Sequence, residues 1–174
     1  MKKNISLLLL IVHLTINAQV SFGKENVEGE NTILDFYSGS DNFRGLVIPA
    51  VTTYDFSTEL KDQTNGIFLF DTTEKKIKVA EKNVWKSLSN EGSTLNLINI
   101  ASNEESPLDN GVIIGSETSS ARGVLILESN DKAMILPKID QPHTNVKNPY
   151  PGMICYDTSS KSLAVYNGLE WSYW

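Results

Sequence analysis

The 174 residues contain one cysteine, Cys155, and two histidines, His13 and His143, so the side chains that most often carry covalent or metal chemistry are nearly missing. A lone cysteine excludes an intrachain disulfide. No zinc-type Cys/His spacing, no glycine-rich phosphate loop and no D-x-D-x-D-G calcium loop occurs. No cofactor and no metal is therefore expected. Basic clusters are also lacking: 15 Lys and Arg stand against 21 Asp and Glu, for a net charge of −6. That balance argues against nucleic acid, whose phosphates demand Lys and Arg. The longest apolar run, Ile5 to Ile16, holds about a dozen residues, against the roughly 20 that a membrane-spanning helix needs.

That run has another reading. Lys2 and Lys3 precede it, and the small-residue site Asn17-Ala18-Gln19 follows it, the order of a secretory signal peptide over residues 1–18. Cleavage after Ala18 removes Lys2 and Lys3 and no acid, which takes the charge from −6 to −8. No cysteine near the cut marks a lipid anchor. The expected location is the periplasm, the outer-membrane surface or the extracellular space, with nothing spanning the membrane after cleavage. Residues 19–31 then form an N-terminal segment.

An internal repeat organises the remainder. Residues 66–88, GIFLFDTTEKKIKVAEKNVWKSL, lie without a gap over residues 152–174, GMICYDTSSKSLAVYNGLEWSYW, at a constant offset of 86. Identities fall at Gly66/Gly152, Asp71/Asp157, Thr72/Thr158, Lys75/Lys161, Val79/Val165 and Trp85/Trp171. Upstream, RGLVIPAV (Arg44–Val51) corresponds to KAMILPKI (Lys132–Ile139), which pairs Pro49 with Pro137. Before these, TILDFYSGSDN resembles GVLILESND. The chain thus divides into repeat unit 1 over 32–88, a linker over 89–121 with its own apolar runs LNLINI and GVIIG, and repeat unit 2 over 122–174.

Each unit reads as β. Gly152–Tyr156 is a short apolar run stopped by DTSS, whose side chains favour a turn. Ser162–Tyr166 follows. Asn167-Gly168 then offers two residues that tolerate positive φ, a strong hairpin signal, and Leu169–Trp174 completes a three-stranded meander. In that strand Leu169, Trp171 and Tyr173 share one face, and Glu170, Ser172 and Trp174 share the other. Unit 1 replaces Asn-Gly with EKN, a looser turn. Phe56–Asn65 could hold a helical turn or two; its counterpart PHTNVKNPYP, with three prolines, reads as non-helical. Pro49 and Pro137 are expected at a strand exit or edge. The fold class is all-β: two related small meander units joined by a β-containing linker, with an intertwined trimer as one way of burying their surfaces.

Few residues suggest chemistry. With the signal peptide gone, His143 beside Pro142 is the remaining imidazole and reads as an exposed loop residue, and Glu104 and Glu105 read as solvated neighbours. No catalytic residue is assigned, and the chain is not expected to be an enzyme. Asp71 and Asp157 recur in both units; a metal or sugar contact at a loop tip is one reading, and recurrence favours the other, turn-closing acceptors. Cys155, opposite Leu69 in the repeat, reads as a small buried hydrophobe. Trp171 recurs as Trp85, whereas its neighbours do not: Tyr166 faces Ala80, Tyr173 faces Ser87 and Trp174 faces Leu88. Gly66, Gly152, Asn167, Gly168, Trp85 and Trp171 therefore read, with the two prolines and two aspartates, as framework. Tyr166, Tyr173 and Trp174 are the candidates for a ligand or an interface.

The order G-L-V-I-P, a spacer, P-G-M-I-C-Y-D-T and L-A-V-Y-N-G-L-E-W resembles a module of secreted surface proteins of Bacteroidetes (Flavobacterium-like bacteria), and is similar also to segments of phage tail-fibre proteins. The resemblance implies an exported, β-rich, non-enzymatic structural or adhesive protein of the cell envelope, built as a trimeric fibre in some relatives. A lone three-stranded meander is marginal in water and units of about 50 residues bury little surface, so self-association is expected, most readily as a homotrimer, with surface glycan or an outer-membrane protein as further partners. Two alternatives compete: a carbohydrate-binding module using the C-terminal aromatics, and an accessory subunit of an outer-membrane complex. No coiled coil is recognisable, so a trimer would need β interfaces of its own.

Overall fold

The computed structural model describes residues 19–52, 65–82, 84–97, 111–121 and 123–174. The signal peptide, most of Phe56–Asn65, the end of LNLINI and the pair Glu104 and Glu105 lie outside the described residues. The chain runs through β1 (Val20–Phe22), β2 (Thr32–Phe36), β3 (Leu46–Val47), β4 (Ala50–Val51), β5 (Phe68–Asp71), β6 (Lys76–Glu81) and β7 (Val84–Ser87). It continues through β8 (Val112–Ile114), β9 (Leu125–Leu127), β10 (Ala133–Met134), β11 (Lys138–Ile139), one short helix α1 (Pro142–Asn145), β12 (Met153–Asp157), β13 (Ser162–Tyr166) and β14 (Trp171–Tyr173). The fold is all-β and built from repeated units.

The two copies form the same sheet. Unit 1 orders its strands β4-β5-β6-β7 and unit 2 orders them β11-β12-β13-β14. In each, the first pair is parallel and the next two are antiparallel. The register repeats as well: Phe68 faces Val79 and Ile154 faces Val165. The prolines act alike, each standing just before the edge strand. The Phe70 N–H donates to the Pro49 carbonyl and the Tyr156 N–H to the Pro137 carbonyl, both at 2.9 Å. Gly66 and Gly152 both take φ 87 and start their meanders. Lys75 and Lys161 close the following turn with φ 55 and 58.

The segment around Pro49 joins the two sheets. Leu46–Val47 pairs antiparallel with β12 of unit 2, whereas Ala50–Val51 pairs with β5 of unit 1. Ile48, buried between them, marks a strand that changes sheets at a corner.

Alternation along the strands gives each meander one strongly apolar face. In unit 1 that face carries Phe68, Phe70, Ile77, Val79 and Leu88; in unit 2 it carries Ile154, Leu163 and Val165. These residues meet in one cluster with Ile48, so the two sheets pack through equivalent faces. A lone three-stranded meander is marginal in water. Here each covers the other, and Phe70, Ile77 and Val165 become wholly buried. The second face of unit 2 has a smaller core of Ile139, Cys155 and Ala164, with Val146 and Trp171 against it.

The stretches upstream of the meanders do not extend them. β2 lies between β1 and β10, both parallel to it, and so ties the N-terminal segment to residues preceding unit 2's meander. Asp35 on β2 is buried; Lys24 reaches it, and the Glu28 and Phe36 N–H groups donate to it at 2.8 Å each. Burial pushes the Asp35 carboxyl up, but these three partners outweigh it and hold the carboxyl below its ordinary range. β8 and β9 form a separate parallel pair.

Four local expectations are corrected. The segment with three prolines does contain a helical turn, α1, because Pro142 occupies its first position, where no N–H is needed and the fixed φ suits a helix. The last strand begins at Trp171 rather than Leu169. The residue Asn167 has no positive φ; Gly168 alone takes one, at 95°. Conversely, unit 1 has the tighter connection: Glu81 pairs with Val84, leaving two residues between them, and Lys82 supplies φ 52 at the position of Gly168.

Candidate functional site

Asp71 and Asp157 are almost fully buried, and both serve their turns. Asp71 Oδ1 accepts from the Thr73 and Glu74 N–H groups at 2.9 and 3.0 Å. Asp157 Oδ1 accepts from the Ser159 and Gln141 N–H groups at 3.0 Å each, and Oδ2 accepts from the Ser160 hydroxyl at 2.7 Å. Burial raises the Asp157 carboxyl, yet the Ser160, Ser159 and Gln141 donors more than offset it and hold the carboxyl low. The units differ on one point. Asp71 pairs with the buried Lys78 ammonium at 2.8 Å, which also meets Glu74. Unit 2 has Ala164 and Ser160 at the positions of Lys78 and Glu74. The ion pair is thus a variation on a shared turn.

Asn167 and Gly168 build a docking point for the chain leaving unit 1. Asn167 Oδ1 accepts from the Leu169 and Glu170 N–H groups at 2.9 and 2.8 Å, which closes a four-residue loop between the paired Tyr166 and Trp171. The Ser93 N–H donates to the Asn167 carbonyl at 2.9 Å, and Asn167 Nδ2 donates to the Asn90 carbonyl at 3.2 Å. The backbones approach so closely that a Cβ on Gly168 would lie 2.1 Å from the Ser93 carbonyl oxygen, and one on Gly92 1.9 Å from that of Asn167. Asn90 Nδ2 adds a bond to Glu170 at 3.0 Å.

The three candidate aromatics do not form one platform. Tyr166 packs against Trp171, ring centroids 5.3 Å apart and tilted by 45°. Tyr173 stands two residues along the same face, 39% exposed, with its hydroxyl 2.9 Å from His143 Nδ1. His143 is exposed, on α1. Trp174 belongs to the opposite face: its backbone pairs with Leu163, and its indole N–H donates to the Leu88 carbonyl at 2.6 Å. A shallow polar groove beside it is lined by Ser87, Asn90, Glu91 and Ser172. Trp171 and Trp85 are both half-buried at equivalent strand positions. Cys155 is fully buried, and desolvation with the nearby Asp157 charge pushes its thiol up to about 12, so it is protonated and inert as a nucleophile.

Among the described residues no group of three or more His, Cys, Asp or Glu side chains converges in a way that could hold a metal ion. No described helix is long and apolar enough to cross a membrane. The surface also carries exposed apolar side chains, among them Val112, Val124 and Leu125 on and beside β8 and β9. Sequence reasoning registered GVIIG as an apolar run in the linker and missed its exposure.

Fold and surface together define a β-repeat protein whose polar side chains hold turns and seams together. Residues 113–174, which span β9 to β14 and most of β8, match the family model described as a phage tail like trimerisation region. That match supports a tail-fibre-like structural module that associates with copies of itself. Neither the curated proteins nor the solved structures yield a match to the chain.

Proposed function

We propose that the chain is an exported, non-enzymatic structural subunit of the cell envelope or surface that works as a homotrimer, in the manner of a tail-fibre module. The observation that carries this reading is the match of residues 113–174 to a trimerisation region, on a fold in which Asp71 and Asp157 are committed to turns. The charged, apolar, small-residue order of residues 1–18 supports export. The glycan-binding alternative loses ground because Trp174 lies on the opposite face from Tyr166 and Tyr173.

The test has two parts. Expressed with its leader, the chain should appear outside the cytoplasm with Gln19 at its N-terminus. Recovery of full-length chain in the cytoplasm would overturn the export reading. The purified chain should have the mass of three copies by sedimentation equilibrium; a single-chain mass would overturn the trimer.

A further inference from the structure

The matched trimerisation region poses a geometric problem, because the apolar face of its meander is already used. Ile154, Leu163 and Val165 are covered within the chain by unit 1. Contact between copies therefore needs another apolar surface inside, or continuous with, residues 113–174. The β8–β9 pair supplies one.

All six residues of this pair, Val112-Ile113-Ile114 and Leu125-Ile126-Leu127, are apolar. Continuous apolar strands in parallel pairing are the pattern of a sheet covered on both faces. Among the described residues that cover is incomplete. Ile126 is buried, and beyond β8 the Ile33 side chain packs so close to Gly115 that a Cβ there would lie 2.6 Å from Ile33 Cδ1. The register places Val112 opposite Leu125 on the other face, which also carries the half-buried Ile114 and Leu127; the open end of that face is Val112 and Leu125, 62% and 41% exposed. The pair also stands alone, as a two-stranded sheet with both outer edges unpaired by other strands among the described residues, and two-stranded units are marginal by themselves.

We propose that the β8–β9 face carrying Val112 and Leu125 is the contact surface between copies of this chain, three such faces meeting around the trimer axis. This rests on the trimer reading above and adds the surface that forms it. Closed cyclic symmetry brings the same face of each copy to the axis, so a single apolar face per chain suffices. A second copy also supplies what the pattern lacks, an apolar cover of the same chemistry.

The test is the mass of the wild-type chain and of the Val112→Lys/Leu125→Lys double variant, with Val84→Lys as a control at a site exposed outside the matched region. The expected result is a trimer for wild type and V84K, and a folded monomer, judged by unchanged far-ultraviolet circular dichroism, for the double variant. A monomeric wild type removes the trimer reading and this inference with it. A trimeric wild type with a trimeric double variant overturns this inference alone. If the double variant does not fold, V112C and L125C decide: Cys155 is buried, so mild oxidation should link pairs of chains through the new thiols. Absence of disulfide-linked pairs from both variants, in a particle shown to be trimeric, overturns the assignment.

Discussion

Trp174 donates its indole N–H to the carbonyl of Leu88 at 2.6 Å, and these two residues hold the same position in the two copies of the repeat. A contact between equivalent positions is what a twofold-like pairing produces near its axis. The core agrees with this: Phe68, Ile77 and Val79 of unit 1 meet the equivalent positions Ile154, Leu163 and Val165 of unit 2 in one cluster. The chain is built as two like sheets closed face to face. Any assembly of the whole molecule has to use surfaces outside that seam.

Trp174→Phe keeps the ring and removes the donor. A net hydrogen bond contributes about 0.5–1.5 kcal/mol, and Trp174 is 64% exposed, so the loss should sit at the low end of that range. The urea midpoint should fall slightly with an unchanged slope. No shift would mean that the bond does not secure the seam.

Phe70→Ala tests whether the units share one core. Phe70 is fully buried in the cluster that includes Ile154 and Val165, and such truncations cost roughly 3–5 kcal/mol. Unfolding followed by circular dichroism and by tryptophan fluorescence should remain one coincident transition at lower denaturant. Unit 2 melting separately at its wild-type midpoint would show that the sheets are independent.

Lys78→Met removes the ammonium shared by Asp71 and Glu74. Removing one partner of a buried ion pair typically costs about 3–5 kcal/mol. Adding Asp71→Asn should recover much of that loss, since the Asn side-chain oxygen can still accept from Thr73 and Glu74 without carrying a charge. A double variant no more stable than K78M would contradict this account of the turn.

Asp35 and Asp157 set the acid limit. Both are buried, and both have carboxyls held below the ordinary value by their donors. A depressed folded pKa gives stability that is fully present above the unfolded value of about 3.9 and is lost as pH falls through the lower folded value. Stability from these groups should therefore be flat between neutrality and about pH 5 and decline below about pH 4. Asp157→Asn should make that acid-side decline shallower. A steeper one would contradict the assignment.

Gly168→Ala should be far more damaging than Gly66→Ala. Both positions have positive φ, but Gly66 has open space beside it, whereas a methyl on Gly168 would strike the Ser93 carbonyl. The Gly66 variant should lose about 1–2 kcal/mol, the ordinary cost of a left-handed L-residue. The Gly168 variant should lose more and expose the Ser93 N–H to hydrogen exchange. Equal losses would mean that the 90–93 loop gives way freely.

Much of this was legible in the sequence. The constant offset of 86 located both meanders, and strand alternation separated Trp171 and Tyr173 from Trp174. What escaped was non-local. Nothing near Leu46 and Val47 announces that they pair with β12, and β2 finds β10 a hundred residues away. The Asn-Gly dipeptide suggested a two-residue hairpin, but Asn167 uses its side chain to hold a wider loop on which residues 90–93 dock. A proline count argued against helix in 142–151 without weighing that the first helical position accepts proline. Exposure of Val112 and Leu125 could not be read from GVIIG and VLIL, because an apolar run is the same string whether one chain or three cover it.

The central claim is that this chain is one subunit of a self-associating β module. Sedimentation equilibrium of the chain beginning at Gln19, across a concentration series, tests it most directly. The account predicts a single species with three times the chain mass; a species that stays at the mass of one chain at every concentration would contradict it.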